Sequence, residues 1–201
     1  MKRLLGALAS AGSLAACAGL QPLPAEHQNI FLLEARSDAV LQRPKTDLVI
    51  EVAMPHALAG FDTDQIAYMR RPSEIEYFSR NRWADTPAHM LAPVLAQAIE
   101  RSGTFRAVVR EPNAVNADLR LYTELVRLQQ NFTVHPSRVE IAVRVLLVRS
   151  APAATLAVAQ FEEHEDAASD DPYGGVLAAN RALARVVDSI AEFCSIQVSQ
   201  P

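Results

Sequence analysis

The 201-residue chain has 2 cysteines, 1 tryptophan and 7 glycines. With thiols only at Cys17 and Cys194, it lacks the cysteine density of small disulfide-stapled domains. There is no phosphate-cradling glycine loop, no Gly-x-Ser-x-Gly elbow and no His-Glu-x-x-His run, so the common nucleotide, acyl-transfer and zinc-protease signatures are missing. Lysine is almost absent: beyond Lys2 the chain has Lys45 alone. No block of Lys or Arg offers a surface to phosphates, which argues against nucleic acid as a partner. After the first residues, no apolar run approaches the ~18 needed for a membrane-spanning helix.

What is present begins with "MKRLL". Lys2 and Arg3 precede a stretch from Leu4 to Ala16 that is apolar or small, broken only by Ser10 and Ser13. A basic start, a short apolar core and small residues before a cut describe a secretory signal over residues 1–16. The cut falls at "LAAC", Leu14 to Cys17, which resembles the bacterial lipobox. That resemblance implies a diacylglyceryl group on the Cys17 thiol, cleavage before it and acylation of the new amino group. The plain alternative is an ordinary signal with an Ala-x-Ala cut and a free Cys17. One acyl chain holds only reversibly, and two or three make a stable anchor. By the enterobacterial sorting rule, Ala18 in place of Asp favours the outer membrane, facing the periplasm, over inner-membrane retention. Removing Lys2 and Arg3 leaves 17 basic against 23 acidic residues, a processed chain near −6.

Residues 17–28 read as a lipidated tether stiffened by Pro22 and Pro24. Its eleven residues from Ala18 to Gln28 span about 36–40 Å when fully extended. Residues 29–201 are one domain by length. "NIFLLE", "DLVIEVAMP", "DQIAYMRR" and "EIEYFSRNRW" have strand character, the second apolar on both parities and therefore central. "DTPAHMLAPVLAQAIERSG" predicts a helix: Thr86 as the cap, Pro87 at the first position, Leu91, Val94, Leu95, Ala98 and Ile99 on one stripe, and Gly103 ending it. Pro93, inside it, predicts a kink. After "TFRAVV", three strands joined by "TVHPS" and "APA" predict an antiparallel meander. The apolar parity of the first slips near Leu125–Val126, the sign of a bulge. A second amphipathic helix, capped by Asp171 and started by Pro172, closes the chain, with Asn180, Arg181, Arg185 and Asp188 turned away from its stripe. The expected class is α+β: a mostly antiparallel sheet with two amphipathic helices on one face, ending in a three-stranded meander and a final helix.

Chemistry-bearing clusters are few. In "EEHED", Glu162, His164 and Asp166 share one side of a strand and could take a hard or borderline metal; the simpler reading is a solvated strand end running into a loop. His56, His89 and His135 are scattered beside turns or a helix start. Trp83, near Arg80 and Arg82, reads as packing where a helix begins. Cys194 reads as a small buried apolar residue, with an intermolecular disulfide or reactive thiol as the alternative. No metal, cofactor or catalytic residue is expected.

The ordered combination of Ile66 and Tyr68 on a strand, Tyr77, Trp83 and Pro87, the Leu91–Leu95 helix, Gly103 and Phe105, all behind a lipobox, resembles the ABC-type transport auxiliary lipoproteins. These are the paraquat-inducible protein C-like lipoproteins. The likeness spans essentially the whole processed chain; only "IFLLEA" departs, lacking the expected Tyr-x-Leu. It implies a non-catalytic component working with an ABC ATPase, a permease and a periplasmic MCE-domain protein, moving lipid between membranes. The lipoprotein would dock the MCE assembly at its own membrane, and homo-oligomerisation is left open. The charged, aromatic loops around Arg70, Arg71, Arg80 and Arg82 are the candidate contact surface. Competing readings are an anchored assembly factor for outer-membrane proteins or lipopolysaccharide, and a periplasmic hydrolase built on Glu162, His164 or Asp166. Mass spectrometry of the processed chain should find Cys17 as the first residue, carrying acyl groups on sulfur and nitrogen. An intact leader or a bare thiol would remove the anchor.

Overall fold

The computed structural model describes residues 27–35, 44–112 and 115–199. The leader, Cys17 and the tether up to residue 26 lie outside the described residues. Eleven elements follow in chain order: β1 (Asn29–Phe31), β2 (Val49–Val52), β3 (His56–Ala57), β4 (Gln65–Met69), β5 (Glu76–Trp83), α1 (Pro87–Arg101), β6 (Ala107–Arg110), β7 (Leu119–Asn131), β8 (Arg138–Arg149), β9 (Ala154–Asp166) and α2 (Pro172–Ser199). The nine strands form one sheet. The two-residue β3, just beyond Pro55, is the element that sequence patterning misses.

β7 is the axis of this sheet. One edge pairs antiparallel with β8 from Leu119↔Arg149 to Asn131↔Arg138. The other edge takes three strands in succession, all parallel to it: β2 at Leu119–Leu121, β3 at Glu124–Leu125 and β4 at Gln130–Asn131. β6 then adds beside β2, and β5 and β1 beside β4. Most paired residues are antiparallel, as expected, because the meander is long. The parallel pairings, including β1 on β5, are not visible in local sequence.

The register slip lies where the parity changes. Leu125 faces Val143 but Arg127 faces Ala142, so Val126 is the extra residue. Before it the buried helix-side positions are Leu119, Leu121, Thr123 and Leu125; after it they are Leu128 and Gln130, with Asn131 buried at the strand end. A one-residue bulge thus keeps the same face buried on both sides of a change in parity. Opposite stand Val139, Ile141, Val143, Val145 and Leu147, each at most 2% exposed. This face carries both helices, which also touch each other: Thr104 Oγ1 donates to Ser195 Oγ at 2.9 Å, just past α1.

α1 begins at Pro87 and runs unbroken through Pro93. Pro93 and His89, whose carbonyl loses its amide partner there, are both exposed, so water satisfies the freed group. Thr86 stands at the cap position, but its hydroxyl makes no cap bond and is buried without a partner. The neighbouring Asp85 carboxylate accepts the Thr86 amide instead, at 2.7 Å. The helix ends as expected, with Gly103 in the left-handed region at φ 66°. At α2, Asp171 caps: its Oδ1 accepts the Gly174 amide at 2.7 Å. The apolar stripe from Val176 through Ile190 to Cys194 is buried.

The start of α2 packs closely, against the loop before it at Gly174 and against β7 at Gly175. A Cβ at Gly174 would lie 2.3 Å from the Ser169 carbonyl oxygen, and a Cβ at Gly175 would lie 2.2 Å from Gln130 Oε1. Gly174→Ala should therefore destabilise the fold by about 1–3 kcal/mol, the usual cost of overpacking. Gly60→Ala, whose Cβ would only touch Ile75 Cδ1 at 3.4 Å, should shift the urea midpoint little by comparison.

Candidate functional site

The residues that carried the resemblance all serve the framework. Ile66, Trp83, Leu91 and Leu95 are core residues, Phe105 packs against the core, and Pro87 is buried at the first turn of α1. Trp83 is 3% exposed where β5 hands over to α1, the packing role expected of it. The Tyr77 hydroxyl donates to the Gly60 carbonyl at 2.8 Å and pins the β3–β4 loop over the helix-free side of the sheet. Tyr68 stacks on Phe78 at 4.3 Å between ring centroids and meets Phe132 edge-on at 5.9 Å. Gly103 supplies the turn after α1.

The arginines of the candidate contact surface sit beside acids. Arg70 Nε donates to Glu76 Oε1 at 3.0 Å, and its Nη2 reaches the Tyr68 hydroxyl at 3.0 Å. Arg71 lies 3.4 Å from Glu74, and Arg82 lies 3.0 Å from Asp64. Arg80 is exposed on β5. The segment therefore presents salt bridges and aromatic edges. It is not a row of bare cations aimed at phosphate.

"EEHED" lies inside β9 and not beyond the sheet. Glu162, His164 and Asp166 take the exposed parity. Glu163 and Glu165 point to the helix side, where they meet α2: Arg185 Nε lies 2.8 Å from Glu163, and Arg181 Nε lies 2.6 Å from Glu165. Burial pushes the Glu165 carboxyl up, but the bonds from Arg181 and Arg185 outweigh it, so its pKa falls below the ordinary value. Arg181 and Arg185, expected to face away, instead bind α2 to the outermost strand. Among the described residues no group of His, Cys, Asp and Glu is arranged to hold a metal. Cys194 is buried and free, and burial pushes its thiol up to about 12, which suits a packing role.

Two features were not read from the sequence. Glu51 is only 5% exposed, and it pairs with Arg120 across β2 and β7 at 2.6 Å. The signal was available: Glu51 breaks an apolar run that is central by pattern, so it had to find a cation. The second is a polar knot at the start of α2. Gln130 Nε2 donates to Ser137 Oγ at 2.9 Å and to the Asp171 carbonyl at 3.2 Å, while the Ser137 amide donates to Asp170 at 2.6 Å. It ties the β7–β8 hairpin to α2. A cavity of about 10 Å³ lies beside it, between Trp83, Leu128, Gln130 and Val176. That is room for about one water.

The helix-free face of the meander is open to solvent. Tyr122, Leu146 and Val158 stand in register across β7, β8 and β9. Tyr122 is 39% and Val158 61% exposed. In the adjacent row Arg144 bonds Glu124 and Gln160, both at 3.2 Å. This is an apolar row beside an internally neutralised polar one.

Residues 31–191 match the family model for the ABC-type transport auxiliary lipoprotein component. The chain belongs to that family. Its members are described as auxiliary lipoprotein components of ABC-type transport. No curated protein matches the chain. Among solved structures, a Xanthomonas campestris protein of the DUF330 family aligns over 86% of this chain and 97% of its own. That match has 22% identity and a TM-score of 0.77. An uncharacterised protein aligns over 87% and 100%, with 14% identity and a TM-score of 0.61. At such identities these show that the fold is shared. No helix of the described residues is long and apolar enough to cross a membrane.

Glu76 offers a titration test of the aromatic and arginine corner. The Arg70 guanidinium holds its carboxyl down to about 2. A carboxyl depressed by folding stabilises above its unfolded pKa, about 4.3 for Glu, and that contribution is lost as pH falls toward the folded value. Glu76→Gln should lower the urea midpoint at neutral pH. The difference from the parent should shrink below about pH 4 and vanish near the folded pKa of about 2. A gap independent of pH would mean that Glu76 acts by packing alone.

Proposed function

We propose that this protein is the periplasmic, lipid-anchored auxiliary component of an ABC-type lipid-transport system. Its anchor is the acylated Cys17, its membrane is the outer membrane, and its role is to dock a periplasmic MCE-domain protein there. The ATPase and permease of the system supply the energy and the inner-membrane path. The observation that carries the reading is the family match over residues 31–191, behind a leader ending in Leu-Ala-Ala-Cys. The body is consistent with it. Its acids and arginines largely bond one another, and its apolar row and aromatic corner face outward. These are features of a surface that meets another protein. Arg70, Arg71, Arg80 and Arg82 belong to that contact as members of ion-paired clusters.

The test is affinity purification of the full chain from its own membranes with the envelope barrier scored in parallel. The native protein should bring down an MCE-domain protein. Cys17→Ser should leave the circular dichroism spectrum unchanged, release the chain from the membrane fraction and sensitise the barrier. Recovery of β-barrel or lipopolysaccharide assembly proteins instead would favour the assembly-factor reading. A barrier unaffected by Cys17→Ser would refute the anchoring role.

A further inference from the structure

Where the chain leaves the tether, the domain is unusually apolar for a surface. β1 is an edge strand, paired only with β5 among the described residues, in parallel register Asn29↔Asn81 to Phe31↔Trp83. Phe31 and Leu33 turn inward, Leu33 to 4% exposure, while the alternate residues Ile30 and Leu32 are 66% and 56% exposed. The first turns of α2 lie alongside. Phe31 meets the Tyr173 ring at 6.2 Å, and Asn180 Oδ1 accepts the Glu34 amide at 3.0 Å. Tyr173 and Leu177, one turn apart, are 59% and 37% exposed. Four of the exposed large apolar side chains, Ile30, Tyr173 and Leu32 among the most accessible, therefore gather around one end of one edge strand. A cleft of about 350 Å³ lined by Glu34, Leu177, Asn180 and Arg181 opens beside them. Arg82, in register with Ile30, and Arg80 lie on the adjoining strand.

We infer that this patch, Ile30 and Leu32 with Tyr173 and Leu177, seats the domain on the bilayer that holds its acyl chains. The inference rests on acylation of Cys17. The length of the intervening chain selects the occupant. Eleven residues separate Cys17 from Gln28, about 36–40 Å at full extension and far less as a coil. The patch begins two residues later, at Ile30, so it is the part of the folded body held nearest the lipid. A tether of this length presents the bilayer to the patch at high effective concentration, which a freely diffusing partner lacks. The chemistry agrees. Tyrosine with an apolar body and a polar tip belongs to the membrane interface, and leucine and isoleucine insert beside it. Docking this end fixes the orientation of the body. Val158, on the edge strand β9 and seven residues before Glu165, where Arg181 joins that strand to α2, is about 23 Å further along the strand, and then stands farther from the membrane than the patch.

The experiment uses the full acylated chain reconstituted in phosphatidylethanolamine–phosphatidylglycerol vesicles containing nitroxide-labelled phospholipid. Leu177→Cys and, as the distal control, Val158→Cys each carry a small fluorophore; Cys194 is buried and stays unlabelled. Quenching by the labelled lipid should be severalfold stronger at position 177 than at 158. It should fall to the level of position 158 when Ile30→Asp and Leu32→Asp are added, while flotation with vesicles and the melting temperature are kept. Equal quenching at the two positions with normal flotation overturns the patch and leaves the anchor standing. Protection of position 177 that depends on protein concentration and not on lipid overturns it in favour of a second copy. Loss of flotation by the unsubstituted chain removes the anchor itself, and the proposal with it.

Discussion

An extended strand long enough to accept three others end to end is the constraint from which the rest of this molecule follows. β7 keeps β geometry for 13 residues. That length lets β2, β3 and β4 share a single edge while β8 runs the full opposite side. A strand this long with one unvarying parity would have to match the pattern of every neighbour at once. Val126 relieves that demand. The bulge resets the parity midway, so Leu119–Leu125 and Leu128–Gln130 meet the same helices. Without the reset, the second half of the strand would present polar Arg127 and Gln129 to the core in place of Leu128 and Gln130.

The two helices then close one face, and the charged residues settle where that closure ends. Glu163 and Glu165 occupy helix-side parity at the end of β9, where α2 reaches them with Arg181 and Arg185. Inward charges on an outermost strand discourage edge-to-edge pairing, so the same ion pairs join layers and blunt an edge. The opposite edge, β1, is different. There Ile30, and Leu32 just past the strand, are exposed alongside Asn29. The sheet thus has one end made polar and one left apolar, and the apolar one is where the tether arrives. On the proposed anchoring at Cys17, this asymmetry is a means of orientation.

Much of this was legible locally. The boundaries of α1 and α2, the Gly103 terminus, the Asp171 cap, the meander and the slip near Val126 each depend on residues a few positions apart, whose spacing records the period of the element. Thr86 shows where local reasoning fails. The residue type suits a cap, but the strand leading into α1 buries its hydroxyl and Asp85 takes the amide. The arginines at 181 and 185 were assigned to solvent because helical phase alone cannot see a strand lying beyond the stripe.

The sequence alone determined the apolar stripes of both helices, where each helix starts, and the alternating burial of the meander. Those are properties of nearest neighbours along the chain. Only the tertiary structure decided that β2, β3 and β4 run parallel on one edge of β7, that Glu51 meets Arg120, and that Ile30 and Leu32 stand exposed beside Tyr173 and Leu177. Strand order and edge identity are set by which layers close over which faces. That choice is made among residues far apart in sequence, through burial energies that no local spacing encodes.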